Sequence, residues 1–251
     1  MNKNLFSKLY PFDVQLSDNR KLYAVFPWVD ANMLDKTLKD FPENGVAVEI
    51  GSWTGFSTSL IGLIIKEKKG QFFTIDNFIG LPDIEGSEKG YIKEILNSNI
   101  DRLELKDHVT ILDGHADEFV KMFDDESIDF MFIDGDHRYS QVSKDIKNWL
   151  PKIKPGGILS GHDFDGAVYN EAHIETDCVD RVHHGVAKAV MELGEVHIFK
   201  VDEKQVSSIW FINKQGALGS LFHPQTQGGR DDKREEEGTV FESVGSAELA
   251  R

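Results

Sequence analysis

The chain has 251 residues, 40% of them apolar, and a formal net charge of −15. That length suits one sizeable α/β domain or at most two small ones, and the acidic balance excludes the basic face that nucleic acid or an anionic membrane requires. The start lacks the apolar stretch of a secretory signal, the longest apolar run (Leu60 to Ile65) is far too short to span a bilayer, and the lone Cys178 permits no intrachain disulfide, so a soluble, cytoplasmic protein is expected.

In chain order, residues 1–44 carry one predicted helix, Val29 to Phe41, framed by Pro27 and Pro42, which reads as a cap on the sheet or a lid over a ligand. From residue 45 to 214 strand-like and helix-like segments alternate. "VAVEI" (Val46 to Ile50) is a buried strand by its β-branched content, followed by a helix over Phe56 to Glu67. "QFFTID" and a helix over Lys89 to Leu105 repeat the pair, as do "HVTIL" with Ala116 to Phe123. "IDFMFID" precedes a helix over Tyr139 to Leu150, whose Val142, Ile146, Trp149 and Leu150 recur at helical spacing. "GGILSG" and Val186 to Leu193 follow, and "EVHIFKV" and "VSSIWFIN", separated by a polar turn, read as an antiparallel pair. The pattern predicts an α/β fold: a doubly wound, mainly parallel sheet of seven strands with helices on both faces. Residues 215–251 lose periodicity and contain the charge run "GGRDDKREEEG", so a disordered tail is expected there.

Ligands of doubly wound sheets sit at the carboxyl ends of the strands, near the point where strand order reverses. The turn after the first strand reads "EIGSWTGFS": Gly51 allows a sharp turn beside a ligand, Gly55 a close helix start, and Trp53 argues against a pyrophosphate. Asp76 ends the second strand, where a carboxylate can accept hydrogen bonds from ribose hydroxyls. "LDGHADE" (Asp113 to Glu118) ends the third strand and is placed to flank an adenine ring. At the ends of strands four and five, "DGDH" and "GHDFD" bring Asp134, His137, His162 and Asp163 toward one cleft. Two carboxylates and an imidazole form an acceptable divalent-cation set.

"VEIGSWTGFS", "TIDNF" and "KPGGIL", in this order at these strand ends, resemble the class I S-adenosylmethionine-dependent methyltransferases over roughly Val46 to Asn213. "FIDGDHRYSQVSKDIKNWLPKIKPGG" and "HGVAKAVMEL" are similar to a small-molecule branch that O-methylates sugars and natural products. The resemblance implies a Rossmann-like methyltransferase fold with a reversed seventh strand. It implies S-adenosylmethionine held by Glu49, Gly51, Ser52, Gly55, Asp76, Gly114, His115 and Asp134, with Glu49 and Gly51 at its amino-acid end, Asp76 at its ribose and His115 at its adenine. It implies Mg²⁺ or another divalent cation on Asp134, His162 and Asp163, with His162 standing where relatives carry an acid. His137 is then the base, acting beside Asp134 on a small-molecule hydroxyl. Two other readings stand beside this one: a non-haem Fe(II) hydroxylase built on two histidines and an aspartate, and a cofactor-binding protein without catalysis. Nothing in the composition excludes a homo-oligomer.

His183 and His184 read as a polar approach to a helix or as substrate contacts, and Cys178, in an acidic loop, as neither buried nor activated.

Overall fold

In a computed structural model of the chain, residues 14–15, 21–22, 26–79, 89–166, 168–194, 196–202, 205–214 and 240–244 are described. A two-residue ribbon, β1 (Val14–Gln15) and β2 (Lys21–Leu22), precedes α1 (Trp28–Thr37). The alternating body then runs β3 (Val46–Ile50), α2 (Phe56–Glu67), β4 (Gln71–Asp76), α3 (Lys89–Arg102), β5 (Val109–Asp113) and α4 (Ala116–Phe119). It continues as β6 (Ile128–Ile133), α5 (Tyr139–Trp149), β7 (Ile153–Gly161), α6 (His184–Met191), β8 (Val196–Asp202) and β9 (Gln205–Asn213). No helix among the described residues is long and apolar enough to cross a membrane.

Strand order across the large sheet is β5-β4-β3-β6-β7-β9-β8, with a further strand, β10 (Val240–Val244), on the outer edge of β8. β5, β4, β3, β6 and β7 pair in parallel, whereas β9 runs antiparallel to both β7 and β8. The expected reversal of the seventh strand is therefore present. β9 is inserted between β7 and β8. Within the segment expected to be mostly disordered, Val240–Val244 pairs antiparallel with β8. Its valines and phenylalanine suit a strand, and an open edge offers backbone partners. The rest of that segment lies outside the described residues.

The sheet is central because its strands are apolar on both faces. One core cluster joins α1, α2 and α3 to the sheet through Met33, Leu34, Leu60, Ile61, Leu96 and Phe130, among others. The opposite cluster joins α5 and α6 through Val142, Ile146, Trp149, Val186 and Val190. In α5 those apolar positions line one stripe, as helical periodicity requires. α1 is part of the first core, since Ala31, Met33 and Leu34 are buried, and it rests against β9 and α2. That packing lowers one polar residue of the helix, Asp30, onto the sheet.

The direction of the chain's excursions changes between β3 and β6: β4 and β5 lie to one side of β3, and β6 and β7 to the other. The crevice at the carboxyl ends of β3 and β6 is thus the switch point where a doubly wound sheet offers a ligand site.

Candidate active site

The turn that leaves β3 is tied to the end of β4. Asp76 Oδ2 accepts hydrogen bonds from Ser52 N (2.9 Å), Trp53 N (2.9 Å) and Ser52 Oγ (3.2 Å), while Oδ1 accepts one from Phe78 N (2.7 Å). Oδ2 is saturated and Oδ1 keeps acceptor capacity. Gly51 has φ +87°, and a Cβ there would lie 2.0 Å from the Asp134 carbonyl oxygen. Its lack of a side chain is thus demanded by the neighbouring strand end and not by ligand approach alone. Gly55, with φ +91°, starts α2 against Leu96. Gly114 donates its N–H to the Asp76 carbonyl (3.0 Å), and His115 Nδ1 lies 3.4 Å from Asn77 Nδ2. Glu49, Gly51, Ser52, Gly55, Asp76, Gly114 and His115 therefore gather at the carboxyl ends of β3, β4 and β5.

Glu49 is fully buried in β3, where Thr58 Oγ1 (2.5 Å) and Thr74 Oγ1 (2.7 Å) donate to its Oε2. Its Oε1 is buried without a well-formed hydrogen bond. Burial pushes the carboxyl up to about 7, against the lowering pull of the Ser57, Thr58 and Thr74 hydroxyls. An acid whose folded pKa lies above its unfolded value binds the proton more tightly when folded. Its stabilising contribution is complete below pH 4.5 and declines as pH rises toward 7. Asp145, buried in α5 and also raised to about 7 by burial, has the same sign. Glu49→Gln, which keeps an acceptor for both threonines but carries no charge, is expected to be more stable than the wild type at pH 8 by on the order of 3 kcal/mol. The gain should shrink as pH falls to 5. Thermal unfolding of the ligand-free protein at the two pH values checks this, and an equal change at both would remove Glu49 as the cause.

Across Gly51 lies a cluster of acids and imidazoles at the ends of β6 and β7. Asp134 is fixed by its N–H to the Ile50 carbonyl (2.8 Å), and His162 by its N–H to the Ile133 carbonyl (3.1 Å). His162 Nδ1 faces Asp163 Oδ1 (3.1 Å) and Asp134 Oδ1 (3.6 Å). Its Nε2 is held by Asp30 Oδ2 (3.2 Å), and Asp30 is itself anchored by Ser208 N (3.0 Å) and the Ser207 hydroxyl. One ring nitrogen is thus committed to a carboxylate and the other is aimed into the cleft, the arrangement that orients a metal-binding histidine. Asp134, His162 and Asp163 bring one ligand atom each to within 4.8 Å of one another. Asp163 sits at φ +61°, an uncommon backbone conformation for a side-chain-bearing residue, of the kind found at functional sites.

His137 is engaged on both sides: Nδ1 with Asp177 Oδ1 (2.7 Å) and Nε2 with Asp163 Oδ2 (3.0 Å). Burial works to lower its pKa, but the bonds to Asp163 and Asp177 and the charges of Asp163 and Asp134 outweigh it and raise the imidazole to about 10. Burial lifts Asp134 to about 6, opposed by His162 and reinforced by Asp163. Asp163, despite its own burial, is held well below the carboxylate range by His162 and His137. Proton acceptance by His137 therefore requires that Asp163 be drawn away from Nε2.

Two residues of this cluster, Asp30 and Asp177, were not singled out in the sequence, and His183 was read only as a polar approach to a helix or a substrate contact. Asp30 comes from α1, far away in the chain. Asp177 comes from the loop before α6, which docks when Tyr139 N donates to the Ile174 carbonyl (2.8 Å). His183 lies with its ring centroid 4.5 Å from that of His137. Gly185 was the available clue. A Cβ there would lie 2.3 Å from the His137 carbonyl oxygen, so "HHG" marks a close approach of α6 to the His137 turn. Cys178 is exposed, as expected.

Residues 48–164 match the family described as "Methyltransferase domain". Among solved structures, cofactor-bound Rv0187 from MTB is similar with a TM-score of 0.58 at 16% identity, covering 85% of this chain and 89% of that one. The SAH-bound methyltransferase PaMTH1 of Podospora anserina gives 0.58 at 15% identity over 86% and 89% of the two chains. The O-methyltransferase from Bacillus cereus in complex with SAH gives 0.51 at 19% identity over 84% and 87%. Identities this low carry the fold. A curated relative, "Uncharacterized protein y4gI" of Sinorhizobium fredii, is 40% identical over 40 residues, which make up 16% of this chain and 4% of that protein's length.

Proposed function

We propose that the chain, whose residues 48–164 match a methyltransferase domain, moves a methyl group from S-adenosylmethionine to a hydroxyl of a small molecule of sugar or natural-product type. The observation behind this reading is the Gly51–Asp134 contact, which sets the glycine turn directly against the acid–imidazole cluster.

S-adenosylmethionine supplies a methyl group already activated on a sulfonium. The acceptor oxygen forms the new C–O bond as the C–S bond breaks, and the hydroxyl proton must leave to a base. The chain's task is therefore to position the acceptor and take that proton. Asp76 Oδ1, with its spare acceptor capacity, is assigned the ribose hydroxyls, His115 the adenine and Glu49 the amino-acid end. Glu49 Oε1, a buried oxygen in need of a donor, suits an ammonium reached directly or through water.

The donor set of Asp134, Asp163 and His162 Nδ1 fits a divalent cation, which when bound would lower the pKa of the acceptor hydroxyl. If a cation drew Asp163 away, His137 would keep Asp177 on Nδ1 and have Nε2 free for the acceptor's proton. Asp177 then holds the ring in the tautomer a base needs.

Calorimetric titration with S-adenosylmethionine, S-adenosylhomocysteine and 2-oxoglutarate, with Mg²⁺ or Fe²⁺ present or absent, tests the reading. Binding of the two sulfur nucleosides supports it. Binding of 2-oxoglutarate with Fe²⁺, and of neither nucleoside, would make the protein a hydroxylase. Asp76→Ala is expected to weaken S-adenosylmethionine by about ten- to hundredfold, the range for hydrogen bonds to a charged group. An unchanged dissociation constant in the folded variant would remove Asp76 from the site.

A further inference from the structure

We propose that His137, Asp163 and His183 form a second cation site, selective for a transition metal, that shares Asp163 with the first and competes for the base. The three residues bring one ligand atom each to within 4.8 Å of one another. His137 Nε2 lies 3.0 Å from Asp163 Oδ2, and His183 Nδ1 lies 3.6 Å from Asp163 Oδ1. Tetrahedral ligands on bonds of roughly 2.0–2.1 Å stand about 3.3 Å apart, between these two separations, with Asp163 offering a different carboxylate oxygen to each ring. A fourth donor is at hand, because Asp165 Oδ2 lies 2.9 Å from His183 Nδ1 and is held there by His183 N (3.0 Å). Beyond the ligands, Asp177 grips His137 Nδ1 and leaves Nε2 as the coordinating atom.

Hydrogen bonding alone does not balance the cluster. Asp30, Asp134, Asp163, Asp165 and Asp177 face His137, His162 and His183, and the ion pairs of these carboxylates among the described residues run to imidazoles. Five carboxylates thus meet three imidazoles. Partly buried charge of one sign calls for a counter-ion. The two sites differ in chemistry. The first has two carboxylates and one imidazole, which hard Mg²⁺ tolerates, whereas the second has two imidazoles, which favour Zn²⁺, Co²⁺ or Fe²⁺.

The test is calorimetric titration of chelator-treated protein with Co²⁺, followed also by the visible absorption of the bound ion. Two equivalents are expected in the wild type, and one after the first site has been saturated with Mg²⁺. His183→Ala should lose one equivalent and keep the other. Asp177→Asn, a milder change, should weaken the Mg²⁺-insensitive equivalent by about 10–100-fold, the usual effect of removing a partner behind a ligand. A single equivalent in the wild type, or two equivalents unaffected by His183→Ala, overturns the site. The stoichiometry does not depend on the methyltransferase reading. The consequence for activity does rest on it: with the first site saturated by Mg²⁺, added Co²⁺ should inhibit methyl transfer in the wild type and not in His183→Ala.

Discussion

His137→Ala is expected to lower kcat by roughly 10²–10⁴, the scale of a lost general base, and to leave the affinity for S-adenosylmethionine unchanged. The separation of the two effects follows from position. His137 is bonded to Asp177 and Asp163 at the β6 and β7 side of the crevice, whereas the residues assigned to the cofactor surround Asp76 on the β4 side. Asp163 Oδ2 lies 3.0 Å from His137 Nε2, so under the proposed reading a cation held by Asp134, His162 and Asp163 would be needed to free the base. Chelation should therefore silence the wild type as well. Asp134→Asn should lose activity that returns as Mg²⁺ is raised, because a weakened site refills by mass action. Steady-state rates of the three proteins, with binding measured separately, decide the matter. Full activity in His137→Ala removes the base, and full activity after exhaustive chelation removes the cation.

Gly51→Ala, in the turn that leaves β3, should be strongly destabilising. A Cβ at Gly51 would lie 2.0 Å from the Asp134 carbonyl oxygen, 2.5 Å from its carbonyl carbon and 2.8 Å from Gly135 Cα. These are backbone atoms at the end of a central strand, so no side chain can rotate away. The left-handed φ adds about 1–2 kcal/mol and the overpacking about 1–3 kcal/mol, for a loss of roughly 2–5 kcal/mol. Gly156 is the control. Its φ is +81°, yet a Cβ there would meet nothing within 4 Å, so Gly156→Ala should show the conformational cost alone, about 1–2 kcal/mol. Denaturant unfolding of both variants separates clash from strain, and equal losses would show that the Gly51–Asp134 contact yields freely. Gly51→Ala should also weaken cation binding, since relief of the clash moves Asp134, a residue the mutation does not touch.

The alternation of elements was legible in the chain itself because each buried strand is a short β-branched or aromatic run and each helix repeats its apolar residues at its own period. "VAVEI" and "IDFMFI" became β3 and β6, and Val142, Ile146 and Trp149 turned inward on α5 as spaced. The order of these strands brings Asp76 and Asp134 to one end of the sheet, so much of the candidate site could be named from strand ends alone. Partners across the crevice were a different matter. Asp30 reaches His162 only because α1 packs beside β9, and Asp177 and His183 reach His137 only because the loop and α6 fold back onto the β6 turn. Such contacts depend on packing between segments distant in the chain, and periodicity carries no record of them. The tertiary structure also decided why Gly51 is glycine and what state His137 is in. One answer lies in a neighbouring strand's carbonyl, the other in two carboxylates from separate loops, and both are set by three-dimensional proximity.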